Sequence, residues 1–288
     1  MDFLQPRSWS DALAAKTNRP DAQPLAGGTD VLVDLNFDRH RPAALLDLGR
    51  IGELAGWSRD DDALRLGAGL TYTIAAAELV DDLPGLAMAA RTVGSPQIRN
   101  RGTIGGNLGS ASPAGDAHPP LLAAGAEVEL ASAAGSRRVP IREFFLGPKR
   151  NALAPDELIA AVLVPRATGP QQFAKVGTRN AMVIAVCSFA LALHPDRQRV
   201  GTGIGSAGPV PLVADDAERF CEGALAESDL WSTRAPIEES TRRRFGELVA
   251  AAARPIDDVR GSAAYRSHAL SVLAARALGW AWADYRRS

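Results

Sequence analysis

Short apolar runs, each bounded by polar residues or glycine, dominate the first quarter of the chain. Runs of this length between turn residues are typical of buried strands. Three such strands are predicted in this part, at residues 24–26, 43–48 and 64–67. Residues 30–35 predict a short helix with Thr29 as its N-cap. The polar and acidic stretch 57–62 predicts a loop or a boundary between subdomains.

The middle of the chain continues this mixture of helices and strands. Asp116 is placed to act as the N-cap of a further helix, in which Pro119 and Pro120 are tolerated only in the first turn. The predicted elements are helices at 73–80 and 86–92, a helix through 121–124, a hairpin of 127–130 with 138–141, and a strand at 158–164.

Longer elements after a predicted linker at 166–170 indicate a separate C-terminal domain. Apolar residues predict long antiparallel strands at 182–193 and 198–205, joined by a turn at 194–197. A C-terminal helix is predicted from Ser262 onward, because apolar residues recur there at helical spacing. This combination predicts an α+β domain.

The two tryptophans of this last helix are assigned different environments by their helical phase. Trp280 falls on the apolar stripe and is predicted to lie in the core. Trp282 lies off that stripe and is predicted to lie at an interface, where aromatic residues are enriched.

Composition narrows the class of protein. The chain has 288 residues, of which 46% are hydrophobic and 23% charged, and its formal net charge is −1. These values exclude a disordered chain and a small disulfide-stapled protein. The 32 basic and 33 acidic residues are interspersed, so there is no basic surface of the kind that binds nucleic acid. The longest apolar run, 182–193, is shorter than the roughly 20 residues of a membrane-spanning helix.

The two cysteines, Cys187 and Cys221, form neither a CxxC pair nor a cluster with histidine. No metal or iron–sulfur site is therefore predicted on this chain alone. They are predicted to be small buried side chains in a reducing compartment, which indicates a cytoplasmic protein. His40, His118, His194 and His268 are scattered and are predicted to have surface or packing roles.

Two glycine-rich segments, 26–30 and 103–107, carry the candidate chemistry. Paired glycines let backbone amides approach an anion closely, and a following helix adds a favourable dipole. Neither segment has the GxGxxG or GxxxxGK spacing, and one glycine pair alone is equally typical of a tight turn. A third glycine run, 201–208, is predicted to be structural because Pro209 and Pro211 prevent it from opening a helix.

Residues 92–107, followed by 110–116, closely resemble the second flavin loop of one family, the FAD-binding medium subunits of molybdenum hydroxylases. This family includes xanthine dehydrogenase and aerobic carbon monoxide dehydrogenase. The matching residues elsewhere are the first loop at 26–30, a strand at 156–159, and 173–175, Arg179 and 182–185 at the start of the C-terminal domain. The resemblance thus extends along nearly the whole chain.

The resemblance implies an α+β fold: a two-subdomain FAD-binding fold of the vanillyl-alcohol-oxidase (PCMH) type, followed by a smaller C-terminal domain of antiparallel sheet and helices. The implied parts are 1–58, 59–168 and 171–288. The residues implied to line FAD are Pro24, Leu25, Ala26, Gly27, Gly28, Thr29, Asp30, Val31, Thr103, Ile104, Gly105, Gly106, Asn107, Asp116, Ile159 and Lys175.

Chemistry suggests roles for several of these residues. Amides of the paired glycines suit the pyrophosphate, while Asp116 suits a hydroxyl group or the N-cap position. Lys175 could place a positive charge near a phosphate or the reduced ring, or be an exposed strand lysine. FAD is expected to be non-covalent, because Thr29 or Asp30 stands where members that attach FAD covalently have histidine. Arg99 and Arg101 are expected either to face a partner or cosubstrate or to lie in a solvated loop.

The resemblance implies an electron-transfer subunit. Molybdopterin would lie on a large partner subunit and [2Fe-2S] clusters on a small one, and FAD would pass electrons to an acceptor such as NAD+. No side chain of this chain is expected to attack the organic substrate. Two alternatives stay open, a freestanding FAD-dependent oxidoreductase and a flavin-less scaffold subunit of the same fold.

Overall fold

The computed structural model of the protein describes residues 1–60 and 63–288. Three principal sheets, found within these ranges, organise the chain in sequence order. All elements named below belong to this described part.

The first sheet is parallel. Its strands lie in the order β1, β3, β2, and β3 pairs with both neighbours. Helical crossovers connect parallel strands, which is why helices alternate with strands here. The elements are β1 (Asp2–Leu4), α1 (Trp9–Asn18), β2 (Gln23–Leu25), α2 (Val31–Asn36), β3 (Ala44–Asp47) and a 3₁₀ turn at Gly52–Leu54. The strands predicted at 24–26 and 43–48 are therefore confirmed, with shifted ends.

Helix α2 begins one residue later than predicted. Asp30 holds the N-cap position, and no side-chain capping bond is found at this end within the described chain, so the prediction that Thr29 caps the helix is wrong. The backbone turns instead at Gly28, which has φ +78°. Its carbonyl accepts the amide of Leu32 at 3.1 Å, which starts the helix without a side-chain cap.

The second sheet is antiparallel and five-stranded, in the order β4, β5, β10, β6, β7. Its strands are β4 (Trp57–Asp60), β5 (Ala63–Gly67), β6 (Glu127–Ser132), β7 (Gly135–Pro140) and β10 (Leu158–Pro165). The predicted hairpin and the strand at 158–164 are confirmed. The loop predicted at 57–62 is strand β4 over its first four residues, polar because it is an exposed edge strand. Asp61 and Asp62 lie outside the described residues.

Helices fill the long connection between β5 and β6. They are α3 (Tyr72–Glu78), α4 (Pro84–Thr92), α5 (Pro96–Arg101), α6 (Ile104–Ser110) and α7 (His118–Ala123); α8 (Ile141–Phe144) and a small hairpin of β8 (Phe145–Gly147) with β9 (Arg150–Asn151) follow β7. The predicted helices 73–80 and 86–92 correspond to α3 and α4. Helices α5 and α6 are not among the predicted elements; in α6, three glycines in seven residues argue against a helix.

Side-chain caps explain how α5 and α6 form despite this composition. The Ser95 hydroxyl accepts the amide of Ile98 at 3.3 Å, and the Thr103 hydroxyl accepts the amide of Gly106 at 2.9 Å. Such caps contribute about 1 kcal/mol each, comparable with the cost of one glycine in a helix. By contrast, α7 has Ala117 at its N-cap position, so the alternative that Asp116 caps this helix is wrong.

The third sheet is antiparallel, in the order β11, β12, β13. Its elements are β11 (Gln171–Val176), β12 (Cys187–His194) and β13 (Arg199–Gly205), followed by α9 (Asp215–Glu227), α10 (Leu230–Thr233), α11 (Glu239–Ala252) and α12 (Ala263–Arg287). The predicted strand 182–193 is five residues too long at its start. Met182 has φ +51° and is exposed, so the apolar residues 182–186 form a loop rather than a strand.

The third glycine run is structural, as predicted. A Cβ on Gly201 would lie 2.0 Å from the Ala123 carbonyl oxygen, and one on Gly203 would lie 2.0 Å from the Pro119 carbonyl oxygen. The glycines of β13 therefore let this strand pack directly on the backbone of α7. This contact joins the C-terminal part to the second sheet's helices.

The prediction for the two C-terminal tryptophans is wrong. Trp282 is 2% exposed and packs on Trp231 and Tyr285, while Trp280 is 49% exposed. The buried face of α12 includes Ala281 and Tyr285. The long alanine-rich sequence does not indicate which face of this helix is buried. Cys187 and Cys221 are both fully buried, as predicted, and burial raises the pKa of the Cys221 thiol to about 12.

Candidate functional site

A cavity of about 750 Å³ lies where the first sheet, the second sheet and the loop before β12 meet. Its size is within the range of small-molecule and cofactor sites. Both glycine-rich segments line it, and so do Val183 and Ile184 of the C-terminal part. The cavity therefore collects residues from all three parts of the chain.

The two glycine segments, more than 70 residues apart in the sequence, contact each other at this cavity. A Cβ on Gly27 would lie only 1.8 Å from the Arg101 carbonyl oxygen and 3.0 Å from the Gly102 nitrogen. A Cβ on Gly106 would lie 3.8 Å from the Cβ of Ala26. Residue 27 must lack a side chain for this approach, since ordinary carbon contacts are about 3.5–4.0 Å.

The second segment differs in one respect from the expected arrangement. The Gly105 amide donates to the Ala68 carbonyl at 2.8 Å, and the Gly106 amide donates to the Thr103 hydroxyl. Both amides thus have acceptors within the described chain, and their role toward a pyrophosphate stays a prediction. Gly105 serves close packing, because its Cβ would lie 2.5 Å from that of Ala68.

The amides of the first segment are arranged differently. Within residues 1–60 and 63–288, no acceptor is found for the N–H groups of Gly27, Gly28 and Thr29. These donors stand immediately before α2, at the cavity wall. Unpaired amides before a helix form a favourable environment for an anion.

Most of the predicted site residues meet at this cavity. Those that line it are Pro24, Ala26, Gly27, Gly28, Thr29, Asp30, Val31, Thr103, Gly105, Gly106, Asn107, Asp116 and Ile159. Ile104 is fully buried in the core behind the wall. Leu25 ends β2, and neither it nor Lys175 is among the residues that line the cavity.

Lys175 instead forms an ion pair with Asp116. Its ammonium lies 2.7 Å from the Asp116 carboxylate and 3.0 Å from the Thr92 carbonyl oxygen, and the two side chains are only 7% and 10% exposed. Lys175 is therefore not an exposed strand residue. Burial raises the pKa of Asp116, although the neighbouring ammonium opposes the shift.

Three polar atoms of wall residues are buried without a partner among the described residues: the Tyr72 hydroxyl, Asn107 Oδ1 and Asp116 Oδ1. Buried polar groups nearly always have hydrogen-bond partners. A polar ligand in the cavity would supply them, and FAD carries phosphate, hydroxyl and ring groups that can donate and accept. The residues present thus fit this cofactor.

Other predicted residues have structural roles. His118 is fully buried and packs against Phe145 in a tilted arrangement, with ring centroids 4.5 Å apart, and burial lowers its pKa to about 4. Arg99 is half-buried and donates to the carbonyls of Val93 and Gly94, so it holds its own loop. Arg101 is exposed and lines the cavity.

Tyr72, Lys149, Val183 and Ile184 also line the cavity, although the sequence does not predict them as site residues. Tyr72 carries no motif signal, and the last two were assigned to a strand. In the part of the chain that the structure describes, no group of three metal-ligating side chains is found. The helices described there include none long and apolar enough to cross a bilayer.

The fold and the cavity define a cofactor-binding protein in which two α+β subdomains and a C-terminal α+β part share one glycine-lined site. Residues 1–167 match the family described as the FAD binding domain in molybdopterin dehydrogenase. Residues 172–281 match the carbon monoxide dehydrogenase flavoprotein C-terminal domain. The chain belongs to the family of FAD-binding medium subunits of molybdenum hydroxylases.

Individual relatives agree with this assignment. The chain is 30% identical over 278 residues to the putative xanthine dehydrogenase FAD-binding subunit XdhB of Escherichia coli, covering 92% of this chain and 90% of that one. It is 31% identical to the nicotinate dehydrogenase FAD-subunit of Eubacterium barkeri, covering 83% and 86%. A solved structure, reconstituted CO dehydrogenase from Oligotropha carboxidovorans, superimposes with a TM-score of 0.89 at 28% identity, covering 99% and 98%.

These findings confirm the predicted family, the two-subdomain FAD-binding fold with its C-terminal domain, and FAD as the family's cofactor. They also confirm that the protein is an oxidoreductase subunit.

Proposed function

We propose that this chain binds FAD non-covalently and passes electrons from [2Fe-2S] clusters on a partner subunit to an acceptor such as NAD+. The observation that carries the proposal is the cavity, where two distant glycine segments meet beside polar atoms that have no partner among the described residues. FAD supplies the chemistry when bound, since it can take up electrons singly and release them in pairs. The chain's own residues bind it, orient it and exclude water.

The first glycine segment is proposed to hold the diphosphate. The free amides of Gly27, Gly28 and Thr29 supply the donors there. Thr29 and Asp30 provide no nucleophilic imidazole for a covalent link at this segment. Non-covalent binding is therefore expected.

Asp116 is proposed to accept a hydrogen bond from a hydroxyl group of FAD. Its Oδ2 is held by Lys175, whereas Oδ1 has no partner in the described chain. A carboxylate oxygen fixed in this way suits a hydroxyl better than a phosphate, because like charges repel. Lys175 thus positions Asp116, and Ile159, Val183 and Ile184 add apolar wall.

Partner subunits are proposed to carry the other redox groups. A [2Fe-2S] cluster usually takes four cysteine ligands, and this chain has two cysteines, both in its core. We place molybdopterin on a large partner subunit and the clusters on a small one. The relative from Escherichia coli is named a subunit, which supports an assembly. A cytoplasmic location, predicted from the sequence, stays a prediction.

We also infer the division into parts 1–58, 59–168 and 171–288. The three principal sheets support it, each lying within one part except for the first two residues of β4.

The test is the visible absorption spectrum of the purified chain before and after acid precipitation, with the released chromophore identified by chromatography. FAD in the supernatant is the expected result. Flavin that stays in the pellet would contradict non-covalent binding. A colourless chain that also fails to bind added FAD would overturn the proposal and favour a scaffold subunit.

A second measurement separates the proposal from a freestanding oxidoreductase. The isolated, FAD-loaded chain is expected to show no turnover with heterocyclic or aldehyde substrates, because its residues are proposed only to bind and orient FAD. Turnover by the chain alone, with any such substrate, would refute the electron-transfer role.

A further inference from the structure

Tyr72 occupies a place at the cavity that neither glycine segment explains. It is the first residue of α3, which the Thr71 hydroxyl caps. Its amide donates to the Gly102 carbonyl at 3.1 Å, and Thr71 forms a β-bridge with Thr103. The start of α3 is thereby fastened to the second glycine segment.

The ring of Tyr72 packs near Gly102, where the backbone just before the second glycine segment approaches Gly27 of the first. A Cβ on Gly102 would lie 3.3 Å from Tyr72 Cδ2, and Gly102 is the residue whose nitrogen approaches Gly27. Tyr72 is only 3% exposed and lines the cavity. Its position is therefore set by backbone contacts on the side where the diphosphate is proposed to bind.

The hydroxyl of Tyr72 is buried and has no hydrogen-bond partner among residues 1–60 and 63–288. Burial and the nearby carboxylates of Asp116 and Asp30 raise its pKa, so the phenol stays neutral and protonated. A neutral hydroxyl can donate to an anion without adding negative charge to a cavity already lined by Asp30, Asp34 and Asp116. A phenylalanine would fill the same space without leaving a polar group unpaired.

We propose that the Tyr72 hydroxyl donates a hydrogen bond to a diphosphate oxygen of FAD. This inference rests on the proposed function, since it assumes that FAD fills the cavity. It adds a donor from α3 to those of the first glycine segment. The unpaired hydroxyl is then a binding group whose partner arrives with the cofactor.

The test compares Tyr72→Phe with the wild-type chain after FAD has been stripped from both. Dissociation constants for FAD are measured by quenching of flavin fluorescence. Loss of a hydrogen bond to a charged oxygen is expected to weaken binding by about 10- to 100-fold. Tyr265→Phe, which removes an exposed hydroxyl of α12, is the matched control and is expected to leave the constant unchanged.

Three further readouts distinguish a binding role from a merely structural one. The melting temperature of the FAD-free Tyr72→Phe chain is expected to equal or exceed that of the wild type, because an unpaired buried hydroxyl is removed. The same loss of affinity is expected with ADP, which retains the diphosphate without the flavin. The ratio of the two constants is expected to be constant between pH 6 and 9, because the phenol does not ionise there.

The outcomes are distinguishable. Wild-type chain that fails to bind FAD would refute the proposed function itself. Wild-type chain that binds FAD while Tyr72→Phe binds it equally well would refute only the role of Tyr72. A loss seen with FAD but not with ADP would overturn the placement at the diphosphate, and a lowered melting temperature without FAD would show a structural hydroxyl.

Discussion

Replacing Gly27 with alanine tests the contact on which the cavity depends. The added Cβ would lie 1.8 Å from the Arg101 carbonyl oxygen and 2.5 Å from its carbonyl carbon. Reaching an ordinary separation of about 3.5 Å requires the two backbones to move apart by roughly 1.7 Å. Both contacted atoms belong to the backbone, so no rotamer change relieves the clash.

The expected cost is at the upper end of that for overpacking, about 3 kcal/mol. For a chain of 288 residues, whose unfolding entropy is about 0.6 kcal/mol/K, that corresponds to a melting temperature lower by about 5 °C. FAD binding is expected to weaken at least tenfold, because the same movement displaces the free amides of the first glycine segment. Thermal unfolding and fluorescence titration of the FAD-free chain measure the two effects separately.

Gly109→Ala is the matched control on the same cavity wall. The nearest atom to a Cβ there is Ile159 Cδ1, at 3.8 Å, and Gly109 is a helical residue of α6. Alanine is expected to stabilise the chain by about 0.4–1 kcal/mol. If Gly27→Ala matched the wild type in melting temperature and FAD affinity, or resembled Gly109→Ala, the inferred contact between the two segments would be wrong.

Three other predictions follow from buried contacts. Lys175→Met should destabilise the chain by about 3–5 kcal/mol and weaken FAD binding, because it leaves the Asp116 carboxylate buried without a counter-charge. Trp282→Ala should cost about 3–5 kcal/mol, whereas Trp280→Ala should change stability by less than about 0.5 kcal/mol, as thermal unfolding would show. Asp82, which pairs with an arginine, has a pKa lowered in the folded state. Asp82→Asn should therefore destabilise the chain near pH 7, and the difference should shrink as the pH falls below about 4.

Each of these has a clear contrary outcome. Wild-type stability in Lys175→Met would mean that the ion pair with Asp116 contributes nothing. Equal losses in the two tryptophan variants would contradict the phase of α12. Parallel stability curves for Asp82→Asn and the wild type across acidic pH would contradict the lowered pKa of Asp82, because only a group that binds more protons when unfolded makes stability rise with pH.

The local sequence was sufficient to predict several helices and strands but not others. The strands at β2, β3, β5 and β10 were predictable, because each is a short apolar run between turn residues. Helix α6 was not, since its glycines argue against a helix and only the cap from Thr103 and the contact with Ala68 favour one. Propensity is a weak prior that such contacts override.

The loop at 182–186 shows the same limit. Its apolar residues predict a strand, but Met182 and Ile184 remain exposed and Val183 faces the cavity. An apolar side chain favours burial, but the sequence does not identify the surface that will cover it. In α12, likewise, alanines lie on several faces of the helix. Packing against Trp231 and the neighbouring helices therefore determines which face is buried.

The family, the cofactor and the identity of the two glycine segments were determined by sequence alone, because they depend on residues that are neighbours along the chain. Only the tertiary structure decided that Gly27 of the first segment contacts Arg101, just before the second segment, that Lys175 holds Asp116 across two domains, and that Tyr72 joins the wall. Such features depend on contacts between residues far apart in sequence. They are formed when the sheets and helices pack, so no local pattern encodes them.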